Sequence, residues 1–264
     1  MLALIAGAGA LPDEVAIRLQ DRPLVCSMAG FLPDRLKPDV VFRIEHLGSF
    51  LADLKARGVT EVCMAGAVGR PVVDPSQIDT ATLPLVPVIQ QALATGDDGA
   101  LRAVIGLIEQ AGMTVRAAQE IAPDLLLPVG CVTASAPGDQ ESSDARRGAT
   151  ILRAMAVADV GQACVVHRGQ ALAIESVFGT DWMLNSLAQR PDAGGGVLYK
   201  APKPGQDRRA DLPTIGIDTV TAAVAAGLSG IVIEAGGVIV LDQSRVIAEC
   251  DRLGLFLMVQ ERAC

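Results

Sequence analysis

The first half of the chain alternates short apolar runs with segments in which apolar residues recur at helical spacing. Extended, buried strands are predicted at residues 2–6, 23–28, 40–44, 61–65 and 113–117. Helices are predicted at residues 13–20, 50–57, 83–94 and 100–111. Because strands that alternate with helices pair most simply through crossover connections, this pattern predicts a mainly parallel, doubly wound sheet.

The second half has a different pattern, in which hairpins are mixed with helices. Residues 162–166 and 171–175 flank the turn sequence His-Arg-Gly-Gln, and residues 231–234 and 238–241 flank Ala-Gly-Gly. Each pair predicts a hairpin. Helices are predicted at residues 181–188, 219–226 and 244–253, and further strands at 197–201 and 255–259. We therefore predict an α+β domain with a mixed sheet.

A polar, turn-rich segment separates the two patterns. Residues 135–144 run Ser-Ala-Pro-Gly-Asp-Gln-Glu-Ser-Ser-Asp and show no periodicity, which is typical of a linker. The following helix is predicted to begin near Asp144, a plausible N-cap. The predicted organisation is an α/β protein with a parallel-sheet domain over residues 1–132, a linker over 133–145 and an α+β domain over 146–264.

Composition narrows the classes of protein. Half of the 264 residues are apolar but only 3% are aromatic, so the core must consist mainly of Ala, Val, Ile and Leu. The net charge of −8 argues against a nucleic-acid partner, because an acidic chain repels the phosphate backbone. The six cysteines form no C-x-x-C pair and are predicted to be reduced core thiols of a cytosolic protein. No apolar run is long enough to span a bilayer, so we expect any membrane contact to be peripheral.

A glycine-rich turn follows the first predicted strand. Residues 7–12 run Gly-Ala-Gly-Ala-Leu-Pro and open the first helix, where backbone N–H groups favour an anion. The predicted phosphate contacts are Gly7, Gly9, Ala10 and Leu11. Pro12 replaces the third glycine of the dinucleotide fingerprint, and the second strand lacks the acidic residue that binds the ribose of NAD. The turn therefore favours a nucleotide other than NAD, and the structural alternative is a tight β-to-α turn.

Two further sites in the first half carry charge. Arg70 follows the strand at residues 61–65, and ligands of open α/β sheets bind beyond the carboxyl ends of strands. It is a candidate for a phosphate or uracil contact, or a plain surface arginine. Asp97 and Asp98 begin a helix, where aspartates are ordinary caps. The functional alternative for this pair is a contact with a sugar hydroxyl or with the shell of a metal.

Residues 200–214 hold the highest density of charged and polar side chains that could take part in a reaction. Lysine and arginine side chains there can neutralise the oxygens of a diphosphate. Asp207 and Asp211 can bind Mg²⁺ or orient a water, and Thr214 can add a hydroxyl contact. The alternative is a solvated interdomain loop whose charges pair with each other.

Four polar residues elsewhere in the second half are candidates of a weaker kind. Thr180 is a predicted N-cap, with Asp181 in the first turn of the same helix. Glu175 and Glu234 each end an apolar strand, where a carboxylate either faces a cleft and a metal or faces solvent. The only two histidines lie in different halves without metal-ligand spacing, which argues against a zinc site.

Taken in order, these motifs resemble the UDP-2,3-diacylglucosamine pyrophosphatases of lipid A synthesis, in the form found in bacteria that lack the metallophosphoesterase version of the enzyme. The resemblance covers nearly the whole chain and is most specific at residues 206–216. The motifs that carry it lie at residues 4–12, 65–71, 96–98 with 101–102, 159–162, 175 with 179–181, 200–216, 226–228 and 234–236. The chain departs from the family at residues 176–178, where Ser-Val-Phe replaces a more acidic or polar spacer. It also departs at residues 99–100, where Gly-Ala replaces the usual residues after the two aspartates.

The resemblance implies a Rossmann-like first domain, a second domain of its own type and a lipid-bearing substrate between them. It implies Mg²⁺-assisted attack of water on the β-phosphorus of UDP-2,3-diacylglucosamine, which gives UMP and 2,3-diacylglucosamine 1-phosphate (lipid X). The aspartate that is critical in the family corresponds to Asp211. A homodimer at the cytoplasmic face of the inner membrane is also implied.

The resulting predictions assign a role to each candidate residue. The predicted catalytic residues are Asp211, Lys200 and Thr214, and the predicted metal ligands are Asp211, Asp207 and Glu175. The predicted substrate contacts are Gly7, Gly9, Ala10, Leu11, Arg70, Asp97, Asp98, Thr180, Asp181, Lys203, Gln206 and Arg208. Two alternatives remain at this point, a non-catalytic binder of a nucleotide sugar or lipid and an NAD-dependent oxidoreductase.

Overall fold

The structure, a computed structural model, describes residues 1–94, 97–210 and 212–262. The chain divides into two compact units. The first consists of Met1–Pro123 with Asp207–Asp211, and the second of Asp124–Gln206 with Leu212–Cys264. Among the helices of the described residues, none has both the length and the apolar character needed to cross a membrane.

A five-stranded parallel sheet forms the centre of the first unit. Its strands are β1 (Leu2–Ala6), β2 (Leu24–Met28), β3 (Val40–Phe42), β4 (Glu61–Ala65) and β5 (Thr114–Arg116). They lie in the order β3-β2-β1-β4-β5, and every neighbouring pair is parallel. The predicted parallel, doubly wound sheet is confirmed. The strand order reverses between β1 and β4, and open α/β sheets bind ligands at such a point.

Amphipathic helices cover this sheet. They are α1 (Leu11–Ala16), α2 (Leu47–Ala56), α3 (Val86–Ala94), α4 (Asp97–Gln110) and α5 (Ala118–Ile121). Short 3₁₀ turns occupy Ile44–His46, Pro75–Gln77 and Leu83–Leu85. The helix α2 shows why these residues form helices, because its buried residues Leu47, Phe50, Leu51 and Leu54 recur at the three- and four-residue spacing of one helical face.

A mixed six-stranded sheet forms the centre of the second unit, as predicted. The strands of this unit are β6 (Gly130–Cys131), β7 (Ala163–His167), β8 (Gln170–Ile174), β9 (Val197–Lys200), β10 (Thr214–Ile215), β11 (Gly230–Glu234), β12 (Ile239–Val240) and β13 (Phe256–Gln260). The sheet order is β6-β13-β11-β9-β7-β8. The strands β9, β11 and β13 run parallel, and the outer strands pair antiparallel. The predicted hairpin of β7 and β8 is confirmed.

Helices pack on both faces of this sheet. They are α6 (Asp139–Ala156), α7 (Gly179–Ser186), α8 (Ile217–Ala225) and α9 (Gln243–Leu253). In β9, Tyr199 packs in one cluster with residues of α6, whereas Leu198 packs in another with residues of α7 and α8. Because side chains alternate along a strand, Lys200 lies on the same face as Leu198, towards α7.

The second predicted hairpin is wrong. The strand β11 lies between β9 and β13, and β12 pairs instead with β10 in a separate two-stranded sheet. All five residues of β11 are buried, as expected for a central parallel strand covered on both faces. The turn at residues 235–237 is present, but a turn sequence alone does not determine which strand each flanking run joins.

The predicted start of α6 is also wrong. This helix begins at Asp139, where the Glu141 carboxylate accepts the N–H of Gly138, so residues 139–145 of the predicted linker are helical. Asp144 is buried inside the helix and not at its cap. Its carboxylate accepts the backbone N–H groups of Arg168 and Gly169 at 3.0 and 2.7 Å, which ties α6 to the turn between β7 and β8.

The described cysteines are free thiols. Cys26, Cys63, Cys164 and Cys250 are buried, and Cys131 is exposed. Cys264 lies outside the described residues. Burial raises the pKa of the Cys164 thiol to about 12, which keeps it protonated and unreactive at neutral pH.

Candidate active site

Lys200 is the centre of the candidate site in the second unit. It ends β9, and only 7% of it is exposed. Its ammonium donates hydrogen bonds to the Thr180 hydroxyl at 2.8 Å and to the backbone carbonyl of Thr214 at 2.9 Å. A buried ammonium is stable only when such acceptors replace water, so these two contacts fix its position.

The Thr180 hydroxyl joins this ammonium to a carboxylate. It accepts from Lys200 and donates to the Glu175 carboxylate at 2.5 Å. The second oxygen of Glu175 accepts the backbone N–H of Gln162. We call Glu175, Thr180, Lys200 and the carbonyl of Thr214 the lysine cluster. Its one positive and one negative group are both buried and are separated by a single hydroxyl.

A tight loop before β7 holds the lysine cluster in place. Gly161 has φ +46°, and a side chain there would lie 2.3 Å from the carbonyl oxygen of Glu175. Only glycine therefore lets the loop approach closely enough for Gln162 to reach the Glu175 carboxylate. Sequence reasoning gave no role to Gln162 or to Asp159 at the other end of this loop, although the motif around Gly161 was visible.

The first part of the polar segment is ordered by local contacts. The Asp159 carboxylate forms an ion pair with the Lys203 ammonium. The buried Gln206 side chain accepts the backbone N–H of Lys203 at 2.9 Å, and the Gln206 N–H donates to the Lys203 carbonyl at 3.1 Å. The solvated-loop alternative does not describe these residues, because their partners include a charge from outside the segment.

The next residues of the segment, by contrast, show the charge pairing that this alternative predicted. Asp207 accepts from the Arg209 guanidinium at 3.0 and 2.7 Å, and this contact holds the pKa of the Asp207 carboxyl below its usual range. Arg209 also donates to Glu109 at 2.6 Å. The carbonyl of Arg208 accepts from the Gln119 side chain at 3.0 Å. These contacts all lie within the first unit.

The remaining predicted residues of the second half are placed as follows. Asp211 lies outside the described residues. Thr214 contributes its carbonyl to the lysine cluster, whereas its hydroxyl donates to the Leu212 carbonyl at 3.4 Å. Asp181 is exposed in the first turn of α7. Glu234 ends β11 and is buried.

The glycine turn of the first unit lies where the strand order reverses. The Gly7 N–H donates to the Ala65 carbonyl at 2.8 Å, and Ala8 and Ala67 exchange two backbone hydrogen bonds of 2.9 and 2.8 Å. A side chain at Gly7 would lie 2.4 Å from the Ala67 carbonyl oxygen, so the loops after β1 and β4 pack backbone against backbone.

One backbone N–H of this turn is hydrogen-bonded to a carboxylate of the protein itself. Gly9 has φ +92°, and its N–H donates to the Asp34 carboxylate at 3.2 Å. Ala10 and Leu11 follow at the start of α1. The turn thus presents one N–H to a carboxylate oxygen of the chain, and the phosphate contact stays a prediction.

The other three predicted substrate contacts of the first unit lie in a loop and at the start of a helix. Arg70 is exposed in the loop after β4. Asp97 and Asp98 are the first two residues of α4, where the sequence predicted caps. For these two aspartates the structure describes the backbone only.

The two predicted metal ligands that the structure describes, Glu175 and Asp207, already have hydrogen-bond partners. Both oxygens of Glu175 accept hydrogen bonds, and both oxygens of Asp207 pair with Arg209. Within residues 1–94, 97–210 and 212–262, no three His, Cys, Asp or Glu side chains are grouped so that they could hold a metal. The predicted ligand set of Asp211, Asp207 and Glu175 stays a prediction, because Asp211 is not described.

Comparison with known proteins gives a consistent result over both units. Residues 1–125 match the family model described as the LpxI N-terminal domain, and residues 128–258 match the LpxI C-terminal domain. The chain is 38% identical to the UDP-2,3-diacylglucosamine pyrophosphatase LpxI of Caulobacter vibrioides, over 97% of this chain and 96% of that protein.

We predict that Thr180→Val, which keeps the side-chain shape but removes the hydroxyl, lowers the free energy of unfolding by about 3 kcal/mol. The buried Lys200 ammonium and Glu175 carboxylate each lose a partner. Thr180→Ser keeps the hydroxyl and should cost about 1 kcal/mol or less. Urea unfolding of both variants measures the difference, and equal losses would show that the hydroxyl does not join the two charges.

Proposed function

This chain belongs to the LpxI family, and we propose that it hydrolyses UDP-2,3-diacylglucosamine to UMP and 2,3-diacylglucosamine 1-phosphate (lipid X), a step of lipid A synthesis. The observation that carries the proposal is the lysine cluster, in which a buried ammonium is held at the end of a central strand. Hydrolysis of a diphosphate develops negative charge on the departing phosphate, and a preorganised buried cation stabilises such charge.

Lys200 is the residue that we propose for this electrostatic role. Because two neutral oxygens orient its ammonium, it need not reorganise when charge develops on the substrate. Glu175 offsets the buried positive charge through the Thr180 hydroxyl. On this account Glu175 and Thr180 are positioning residues for Lys200, and Glu175 is not a metal ligand.

Asp211 is the residue that we propose for activation of water. The proposal rests on the match to the critical aspartate of the family and on its place three residues before Thr214, whose carbonyl holds Lys200. A carboxylate can accept a proton from water or orient it for in-line attack. Attack on the β-phosphorus leaves UMP as the departing group and places the new oxygen on the lipid phosphate.

The glycine turn is our proposed contact for the nucleotide phosphate. The Gly9 N–H already donates to a carboxylate oxygen, which a phosphate oxygen can replace. Arg70, in the loop that packs on this turn, adds a candidate cation. A homodimer and a peripheral location at the cytoplasmic face of the inner membrane complete the proposal, and both rest on the family resemblance.

Mg²⁺ is proposed to enter with the substrate. Both oxygens of Glu175 and of Asp207 already accept hydrogen bonds, and Mg²⁺ in phosphoryl-transfer sites commonly binds substrate phosphates with only one or two carboxylates and several waters. The bound ion would supply additional positive charge to the diphosphate.

Incubation with UDP-2,3-diacylglucosamine in ¹⁸O-water should release unlabelled UMP and labelled lipid phosphate, read by mass spectrometry. Label in UMP would instead indicate attack on the α-phosphorus. Saturable substrate binding without UMP release would refute the hydrolase and leave the non-catalytic binder.

Lys200→Met should lower kcat by roughly 10²- to 10³-fold with a smaller change in KM, because its charge acts mainly in the transition state. Asp211→Asn should lower kcat by at least a similar factor. The matched controls are Lys55→Met and Asp218→Asn, which change exposed residues of the same types and should leave both constants unchanged. A change in KM alone for Lys200→Met would restrict that residue to binding.

Chelation with EDTA should abolish turnover, and added Mg²⁺ should restore it. Calorimetry should detect no saturable Mg²⁺ binding to the substrate-free protein, because the ion arrives with the diphosphate. Tight binding of Mg²⁺ to the substrate-free protein, lost in the Glu175→Gln variant, would contradict this proposal. It would show that Glu175 is a metal ligand.

A further inference from the structure

The few aromatic side chains of this protein are divided unequally between core and surface. The chain has five Phe, one Tyr and one Trp. Phe42, Phe50, Tyr199 and Phe256 are buried in the cores, and Phe31 is half-buried. The two rings that are exposed lie next to each other at the start of α7, so they do not serve the core.

These two rings form the centre of an apolar surface patch. Phe178 caps α7 and Trp182 follows four residues later, so both lie on one helical face, with ring centroids 5.2 Å apart. Their exposed fractions are 68% and 56%, and that of the adjacent Val177 is 88%. We call Val177, Phe178 and Trp182 the aromatic patch.

The aromatic patch is continuous with the lysine cluster along the chain. Glu175 precedes Val177 by two residues, and Thr180 lies between Phe178 and Trp182. Thr180 is turned inward to Lys200 while its neighbours on α7 face solvent. The short helix therefore presents one face to the candidate active site and another to the surroundings.

We propose that the aromatic patch inserts into the boundary between headgroups and acyl chains of a lipid bilayer. Trp favours this zone because its indole combines an apolar ring with a polar N–H, and Phe and Val add apolar area that can be buried there. The inference rests on the proposed function, since a diacylated substrate resides in such a bilayer. Insertion at the start of α7 would bring Thr180, the member of the lysine cluster on the same helix, close to the surface where the substrate diphosphate emerges.

Charge determines the kind of membrane contact. Asp181, exposed beside Trp182, is the charged residue of α7, and the whole chain carries a net charge of −8. A patch of this kind binds through apolar burial and not through a polybasic attraction to anionic lipid. Binding should therefore be strongest on zwitterionic vesicles and should change little with salt.

The single tryptophan makes this proposal directly measurable. The full-length protein is titrated with phosphatidylcholine vesicles, without substrate, and the emission of Trp182 is followed. We expect a shift to shorter wavelength and quenching by lipids brominated on the acyl chains. Phosphatidylglycerol vesicles should give weaker binding, since the protein is acidic.

The double variant Val177→Ser, Phe178→Ser keeps the reporter and removes most of the apolar area. Its apparent affinity for vesicles should fall by roughly 10-fold or more, as expected for the loss of one buried Phe and one Val. Val157→Ser is the matched control, because Val157 is 91% exposed elsewhere in the second unit. Circular dichroism of each variant checks that the fold is kept.

An activity assay separates this inference from the proposed function. The double variant should turn over a water-soluble short-chain substrate at the wild-type rate but lose turnover on substrate in vesicles. Failure of the wild type on both substrates would refute the function and leave the vesicle titration to test the patch. The patch proposal is overturned if Trp182 shows no lipid-dependent shift, if the double variant binds like the wild type, or if concentrating the protein alone shifts the emission, which indicates a second copy on the patch.

Discussion

The hydrogen bonds of one buried ammonium hold together the elements of the second unit that matter most for function. Lys200 ends β9, yet two of the groups that accept its hydrogen bonds belong to α7 and to β10. A buried charge is stable only with its hydrogen-bond partners in place. The strand β9, the helix α7 and the end of the polar segment at Thr214 must therefore meet at one point. The Glu175 carboxylate completes the arrangement from the end of β8 through Thr180.

Two glycine positions make the close approaches on which each unit depends. Gly7 lets the loops after β1 and β4 pack backbone against backbone, and Gly161 lets the loop before β7 lie against Glu175. In both cases a side chain would meet a carbonyl oxygen at a distance that no real contact shows. The Gly7 contact lets two loops meet where the strand order reverses, whereas the Gly161 contact brings the Gln162 N–H to the Glu175 carboxylate.

The chemistry of the site follows from which charges are already paired. Asp207 and Glu175 are suited to oxygen coordination by type, but in the fold both oxygens of each carboxylate already accept hydrogen bonds. Lys200 is buried, and the neutral oxygens of Thr180 and Thr214 are among the groups that orient its ammonium. The electrostatic role that we propose for the lysine rests on this burial and orientation.

The sequence by itself determined the fold class, the parallel sheet, the hairpin of β7 and β8 and the location of the polar segment, because each depends on periodicity or on turn residues within a short window. Only the tertiary structure decided that β11 lies between two parallel neighbours, that Asp144 binds a distant turn, and that the Thr180 hydroxyl links Glu175 to Lys200. These outcomes depend on residues that meet across different elements. A local sequence pattern indicates which residues can be buried or charged. Which group pairs with a buried charge depends on the packing that brings distant elements together.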